Sequence, residues 1–101
     1  MPKLSLVTPH ALGQEEASRR LRGESDAAVA AFGDKVKDLE RTWADNTLSF
    51  HFTALGMAVR GNVTVEPSAV KTTAELPLAA MMFKGAIEQQ IQERLGRLLA
   101  T

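Results

Sequence analysis

Two histidines, a cluster of three arginines and a single tryptophan are the side chains of this chain best suited to chemistry, and there is no cysteine. His10 and His51 each lack a His, Asp or Glu companion at i+2, i+3 or i+4, so no metal site is expected. His51 alternates with Ser49 and Thr53 and belongs on a solvated strand face. His10 precedes the first helix, where a hydrogen bond that fixes the chain's entry is a better reading than catalysis. No serine stands in a G-x-S-x-G elbow, and the lack of cysteine removes thiol catalysis, thiolate metal sites and disulfides. Arg19, Arg20 and Arg22 have Glu15 and Glu16 one turn away and read as a solvated helix face. Trp43, beside a turn, reads as a core or rim anchor. No catalytic constellation emerges, and the expectation is a protein that is not an enzyme and carries no cofactor.

The residues that suggest contact rather than reaction lie near the C-terminus. Met81 and Met82 form a soft apolar entrance to the last helix. Lys84 falls within the arc of Phe83, Ile87, Ile91 and Leu95, where its stem can pack while its ammonium reaches Glu88 one turn on. Gly85 and Gly96 share roughly the opposite side. Glycine costs about 1 kcal/mol against alanine inside a helix, so the pair suggests a close backbone approach, by the first helix or by a second copy of the chain.

These residues depend on elements that can be read from periodicity. Leu76–Leu99 is the most strongly patterned stretch: Phe83, Ile87, Ile91, Leu95 and Leu98 recur in steps of four and three, which predicts a helix with one apolar face. Another helix should start after Gly13, with Glu15 and Glu16 in its first turn, where the dipole favours anions, and with a thin, alanine-rich apolar side of Ala17, Leu21, Ala28 and Phe32. Such a side could lie close to what it covers. From about Asp38 the chain alternates through Trp43, turns at Ala44-Asp45-Asn46-Thr47, and alternates again along Leu48–Thr53, Val59–Val65 and Val70–Leu76. Lys3–Val7 alternates too and admits a short N-terminal edge strand. The resulting fold class is α+β: one domain over residues 1–101, an antiparallel meander of about four strands, and an N-terminal and a C-terminal helix packed on one sheet face.

Composition narrows the function classes. Twelve basic residues balance twelve acidic ones, leaving no positive excess for nucleic acid. The longest apolar run, Leu76–Phe83, falls well short of the roughly 18 residues expected of a membrane span. Met1-Pro2-Lys3-Leu4-Ser5 leads into alternation rather than a signal-type apolar run, and the lack of cysteine suits a reducing compartment, so a cytoplasmic location is expected.

Several motifs together resemble a known family of small bacterial proteins, the polyhydroxyalkanoic acid system proteins, whose genes lie near those for polyester storage granules. The matching residues are Pro9-His10-Ala11-Leu12-Gly13, Trp43-Ala44-Asp45-Asn46-Thr47-Leu48-Ser49-Phe50, Gly61, and Phe83-Lys84-Gly85-Ala86-Ile87-Glu88. Many members carry Arg-Pro where this chain has Met81-Met82, which removes a charged contact at the entrance to the last helix. The resemblance implies an accessory role in polyhydroxyalkanoate granule metabolism, with granule-associated proteins or a second copy as partners, and no catalytic residues. The alternative is a carrier of a small apolar ligand or acyl chain, held between helices and sheet with Leu76–Phe83 at the mouth.

Overall fold

Alternating side chains build one five-stranded antiparallel sheet in the computed structural model, which describes residues 3–100. Met1 and Pro2, included in the signal-peptide reading, lie outside the described residues. The strands are β1 (Lys3–Pro9), β2 (Lys37–Ala44), β3 (Thr47–Ala54), β4 (Met57–Val65) and β5 (Ala69–Glu75), in spatial order β1-β5-β4-β3-β2. Two helices, α1 (Gln14–Phe32) and α2 (Lys84–Leu98), complete the α+β domain. The segment Lys3–Pro9 is a full edge strand paired along its length with β5, so the sheet has one strand more than the four-strand meander.

Register decides which residues share a face. On the inner face Thr8, Val70 and Val65 form one row, Leu6, Thr72, Val63, Leu48 and Trp43 the next, and Leu4, Ala74, Gly61, Phe50 and Arg41 a third. The other face carries the rows Ser5, Thr73, Asn62, Ser49 and Thr42, and Lys3, Glu75, Arg60, His51 and Glu40. One face is apolar and covered and the other is polar, as an antiparallel sheet permits.

The helices bury two clusters against the inner face. Ala17 and Leu21 of α1 meet Leu95 and Leu99 above Val65 and Val70, and Leu4, Leu6, Ala74 and Leu76 form the second cluster. Ile91 packs against both, which makes it the hinge-point of the core. The entry to α1 is pinned to the β4–β5 turn: the His10 N–H donates to Ser68 O at 2.9 Å and Gln14 Nε2 to Val65 O at 2.8 Å. Arg20 Nη1 crosses to the end of α2 and donates to Leu98 O at 3.0 Å and Ala100 O at 2.7 Å, placing a cation on carbonyls that the helix leaves free.

The last helix is shorter than the sequence pattern predicts. Leu78–Phe83 forms a 3-10 helix after Pro77, and α2 starts only at Lys84. Leu76 is drawn into the cluster with Leu4 and Leu6, and no capping side chain stands before Lys84, so the first turns do not join the α-helical path. Phe83, expected on the apolar stripe, is therefore mostly exposed.

Candidate functional site

The helix α1 is buried only near its start, at Ala17, Ser18 and Leu21. Beyond Leu21 no residue of α1 is buried, and the polar run Gly23-Glu24-Ser25-Asp26 and the small Ala27 and Ala28 leave the sheet beneath them uncovered, with only the long Arg41 side chain of β2 reaching up to Ser25 and Asp26. The expectation of close packing by an alanine-rich helix fails here: short side chains leave space where the first turns of the helix fix its height. The result is an apolar groove of about 440 Å³ between the second half of α1 and the β2–β3 side of the sheet. Ala28, Val29 and Phe32 line it from α1, Val36 from the connection into β2, Leu39 from β2, and Leu48, Phe50 and Phe52 from β3.

Its floor depends on a glycine. Phe50 and Phe52 lie on the inner face with ring centroids 6.3 Å apart and nearly parallel planes. Phe50 is paired with Gly61 across the strands, and a Cβ at Gly61 would stand 2.9 Å from Phe50 Cζ and 2.5 Å from Thr73 O. The ring occupies room that any other residue at 61 would fill.

The polar groups at the groove's rim are engaged with one another. Arg41 Nη1 donates to Ser25 Oγ at 2.7 Å and pairs with Asp26 Oδ1 at 2.8 Å. The carboxylate of Glu24 accepts from Arg94 Nε of α2 at 3.0 Å. Such surface pairs add little stability, but they leave the groove with apolar walls and neutralised edges. An uncharged apolar group fits this site, and a free carboxylate or phosphate would find each rim cation already partnered.

The chemistry-capable residues of the sequence are dispersed rather than gathered. The Leu12 N–H donates to His10 Nδ1 at 3.2 Å, which leaves Nε2 to carry the proton and donate to Glu66 O at 3.0 Å. This histidine fixes the loop before α1, as expected. His51 stands on the polar face with Nδ1 3.7 Å from the Glu40 carboxylate. The three arginines, read together as a solvated face, have separate tasks: Arg19 pairs with Glu16, Arg20 closes the end of α2, and the Arg22 guanidinium lies 4.3 Å over the Trp43 ring. Arg19 and Arg20 hold the Glu16 carboxyl at about 2, below its ordinary 4.5, and Glu16 in turn raises the Arg19 guanidinium. Among the described residues no group of three or more His, Asp or Glu is arranged to hold a metal ion.

The proposed contact residues also lie apart from the groove. Met81 packs against the Leu4–Leu76 cluster, Met82 is exposed, and Lys84 Nζ is 3.9 Å from Glu88 Oε1. A Cβ at Gly85 or Gly96 would meet nothing within 4 Å, so α1 is not the backbone that approaches them. The mouth expected at Leu76–Phe83 is likewise displaced, because Leu76 is core and the groove belongs to α1 and β3. Sequence reading missed Val29, Val36 and Leu39 as a lining. The available signal was the mismatch between the thin apolar side of α1 and the bulky Phe50 and Phe52 beneath it.

No helix among the described residues is long and apolar enough to cross a membrane. No curated protein matches the chain. A family model described as "Putative polyhydroxyalkanoic acid system protein" matches residues 4–99, taking in both helices and all of the sheet but Lys3. On that match, the chain belongs to the polyhydroxyalkanoic acid system protein family.

Proposed function

We propose that this chain is a non-catalytic accessory protein of polyhydroxyalkanoate metabolism, acting in the cytoplasm by binding, with the groove under α1 as its working surface. The observation that carries the reading is the groove itself: about 440 Å³ of apolar space whose rim charges are already paired. Pockets of this size, mostly apolar, are typical of sites for small molecules or for one protruding apolar group. Polyhydroxyalkanoates are uncharged polyesters with alkyl side groups, and such a group has the chemistry the walls accept. The dispersal of His10 and His51 supports a binding role over a reaction.

The test is fractionation of polyester-accumulating cells that express the full chain or the Ala28→Trp variant, which fills the groove from α1. The wild type is expected with the granules and the variant in the soluble fraction. Equal distribution of the two would remove the groove from the function. A second reading, a carrier of a free acyl chain, is favoured by the volume alone. It requires that a neutral alkyl ester of a hydroxyacid bind the isolated protein, with NMR shifts centred on Val29, Phe32, Leu39 and Phe52. Absence of those shifts would exclude the carrier.

A further inference from the structure

Five of the six large apolar side chains that stand exposed among the described residues lie at one end of the molecule. The strand register fixes that end. Lys37 pairs with Thr53, Ala54 with Met57, Arg60 with Glu75, and Lys3 with Glu75. The end of α1, the β3–β4 turn and the 3-10 helix Leu78–Phe83 therefore project from the same edge of the fold. They present Phe32, Leu55, Leu78, Met82 and Phe83, with Leu55 95%, Met82 84%, Leu78 78% and Phe83 62% exposed.

Leu55 has no account within the fold. It occupies the first central position of a two-residue turn at φ 54, followed by Gly56 at φ 75. Turns with both central residues left-handed favour Asn-Gly, and a leucine there is sterically unfavourable. It packs against almost nothing, so the cost is offset by no contact within the chain. The lysines are distributed to match: Lys3, Lys35, Lys37 and Lys84 lie at this end, and of the five lysines in the chain only Lys71 does not. Asp34, Asp38, Glu75 beside Lys3 and Glu88, 3.9 Å from Lys84 Nζ, offset most of that charge.

We infer that this end docks on the surface of a phospholipid layer, with Leu55, Leu78, Met82 and Phe83 entering the hydrocarbon and the four lysines reaching the headgroup phosphates. Area argues against a second copy of the chain as the occupant. A stable protein interface takes about 800 Å² from each partner as a continuous face. Four exposed side chains, at about 150–250 Å² for a whole aromatic ring and less for leucine or methionine, fall short of it and stand on two separate elements, the β3–β4 turn and the 3-10 helix. Separate tips suit a fluid layer, which closes around each one, and long lysine stems let the ammonium groups stay at the polar boundary. With the net charge of the end close to balanced, apolar contact carries the binding, which persists in high salt.

This inference stands apart from the groove reading, since no ligand of the groove enters its test. The full chain is floated with phosphatidylcholine vesicles containing phosphatidylglycerol, at low and at high salt. The wild type is expected in the vesicle fraction in both, and Leu55→Asn and Met82→Asn are each expected to lower partitioning about tenfold or more, the value of one large apolar side chain. Because asparagine suits the left-handed position, Leu55→Asn should also melt no lower than the wild type, which separates lost docking from lost folding. A wild type that stays with the protein fraction would overturn the inference. Undiminished flotation of Leu55→Asn would do the same, as would a wild-type dimer in sedimentation equilibrium that Leu55→Asn dissociates.

Discussion

Replacing Gly61 with alanine tests the packing of the sheet and the floor of the groove together. An added Cβ would stand 2.5 Å from Thr73 O, 2.9 Å from Phe50 Cζ and 3.1 Å from Ala74 Cα. Two of these neighbours are backbone atoms of β5, so relief requires β4 and β5 to part or shift, and the third requires the Phe50 ring to move. Overpacking of this kind costs about 1–3 kcal/mol. The loss of backbone freedom in the unfolded chain returns about 0.4–1 kcal/mol, because nothing in the conformation of Gly61 forbids alanine. The expected net loss is about 1–2 kcal/mol, which for a domain of this size lowers the melting temperature by about 4–15 °C. Urea titration should show a lower midpoint at unchanged slope. The displaced Phe50 ring should also enter the groove, so binding of a neutral alkyl ester, if present in the wild type, should weaken in the same variant. An unchanged or raised urea midpoint would refute the reasoning, since it would mean that the inner face has room at position 61.

Four further outcomes follow from the packing. Thr72→Val should stabilise by about 1 kcal/mol, because the buried Thr72 Oγ1 has no hydrogen-bond partner and valine keeps its shape; a loss in the urea midpoint would show that the hydroxyl is satisfied in solution. Gly85→Ala with Gly96→Ala should raise the melting temperature, by up to about 1 kcal/mol per site, with unchanged mass in sedimentation equilibrium, since both positions face open space; a lower melting temperature would place another chain against them. Ile91→Ala should cost about 2 kcal/mol, the low end for such a truncation because the side chain is half-buried, and a loss below about 0.5 kcal/mol would detach α2 from both clusters. Glu16→Gln should lower stability at neutral pH and lose its effect in acid. Because the folded carboxyl is held at about 2 against an ordinary 4.5, its contribution is complete above about pH 4.5 and disappears as pH falls through about 2, so melting curves of the two proteins recorded across that window should converge. A gap that persists at the acid end would assign the effect to something other than this charge.

Local pattern determined much of this molecule. Strict alternation at Leu48–Phe52 and Val70–Ala74 fixes strands because a period of two can bury only one face, and the steps of three and four at Ile87, Ile91 and Leu95 fix a helix for the same reason. The β2–β3 turn at Asp45-Asn46 and the structural role of His10 were legible because each depends on a few neighbouring residues. The family was legible as well, since its motifs are local strings. What the sequence did not determine lies in distances between elements. The start of α2 was displaced from Leu76 to Lys84 because burial of Leu76 beside Leu4, seventy-two residues earlier in the chain, outweighs the helical spacing of the segment. The groove exists because the height of α1 over the sheet is set at Ala17 and Leu21, so that the small residues a turn and more beyond cannot close on Phe50 and Phe52. Likewise, the gathering of Leu55, Leu78, Met82 and Phe83 at one end follows from strand register, which joins residues far apart in the chain and has no trace in any short stretch of it.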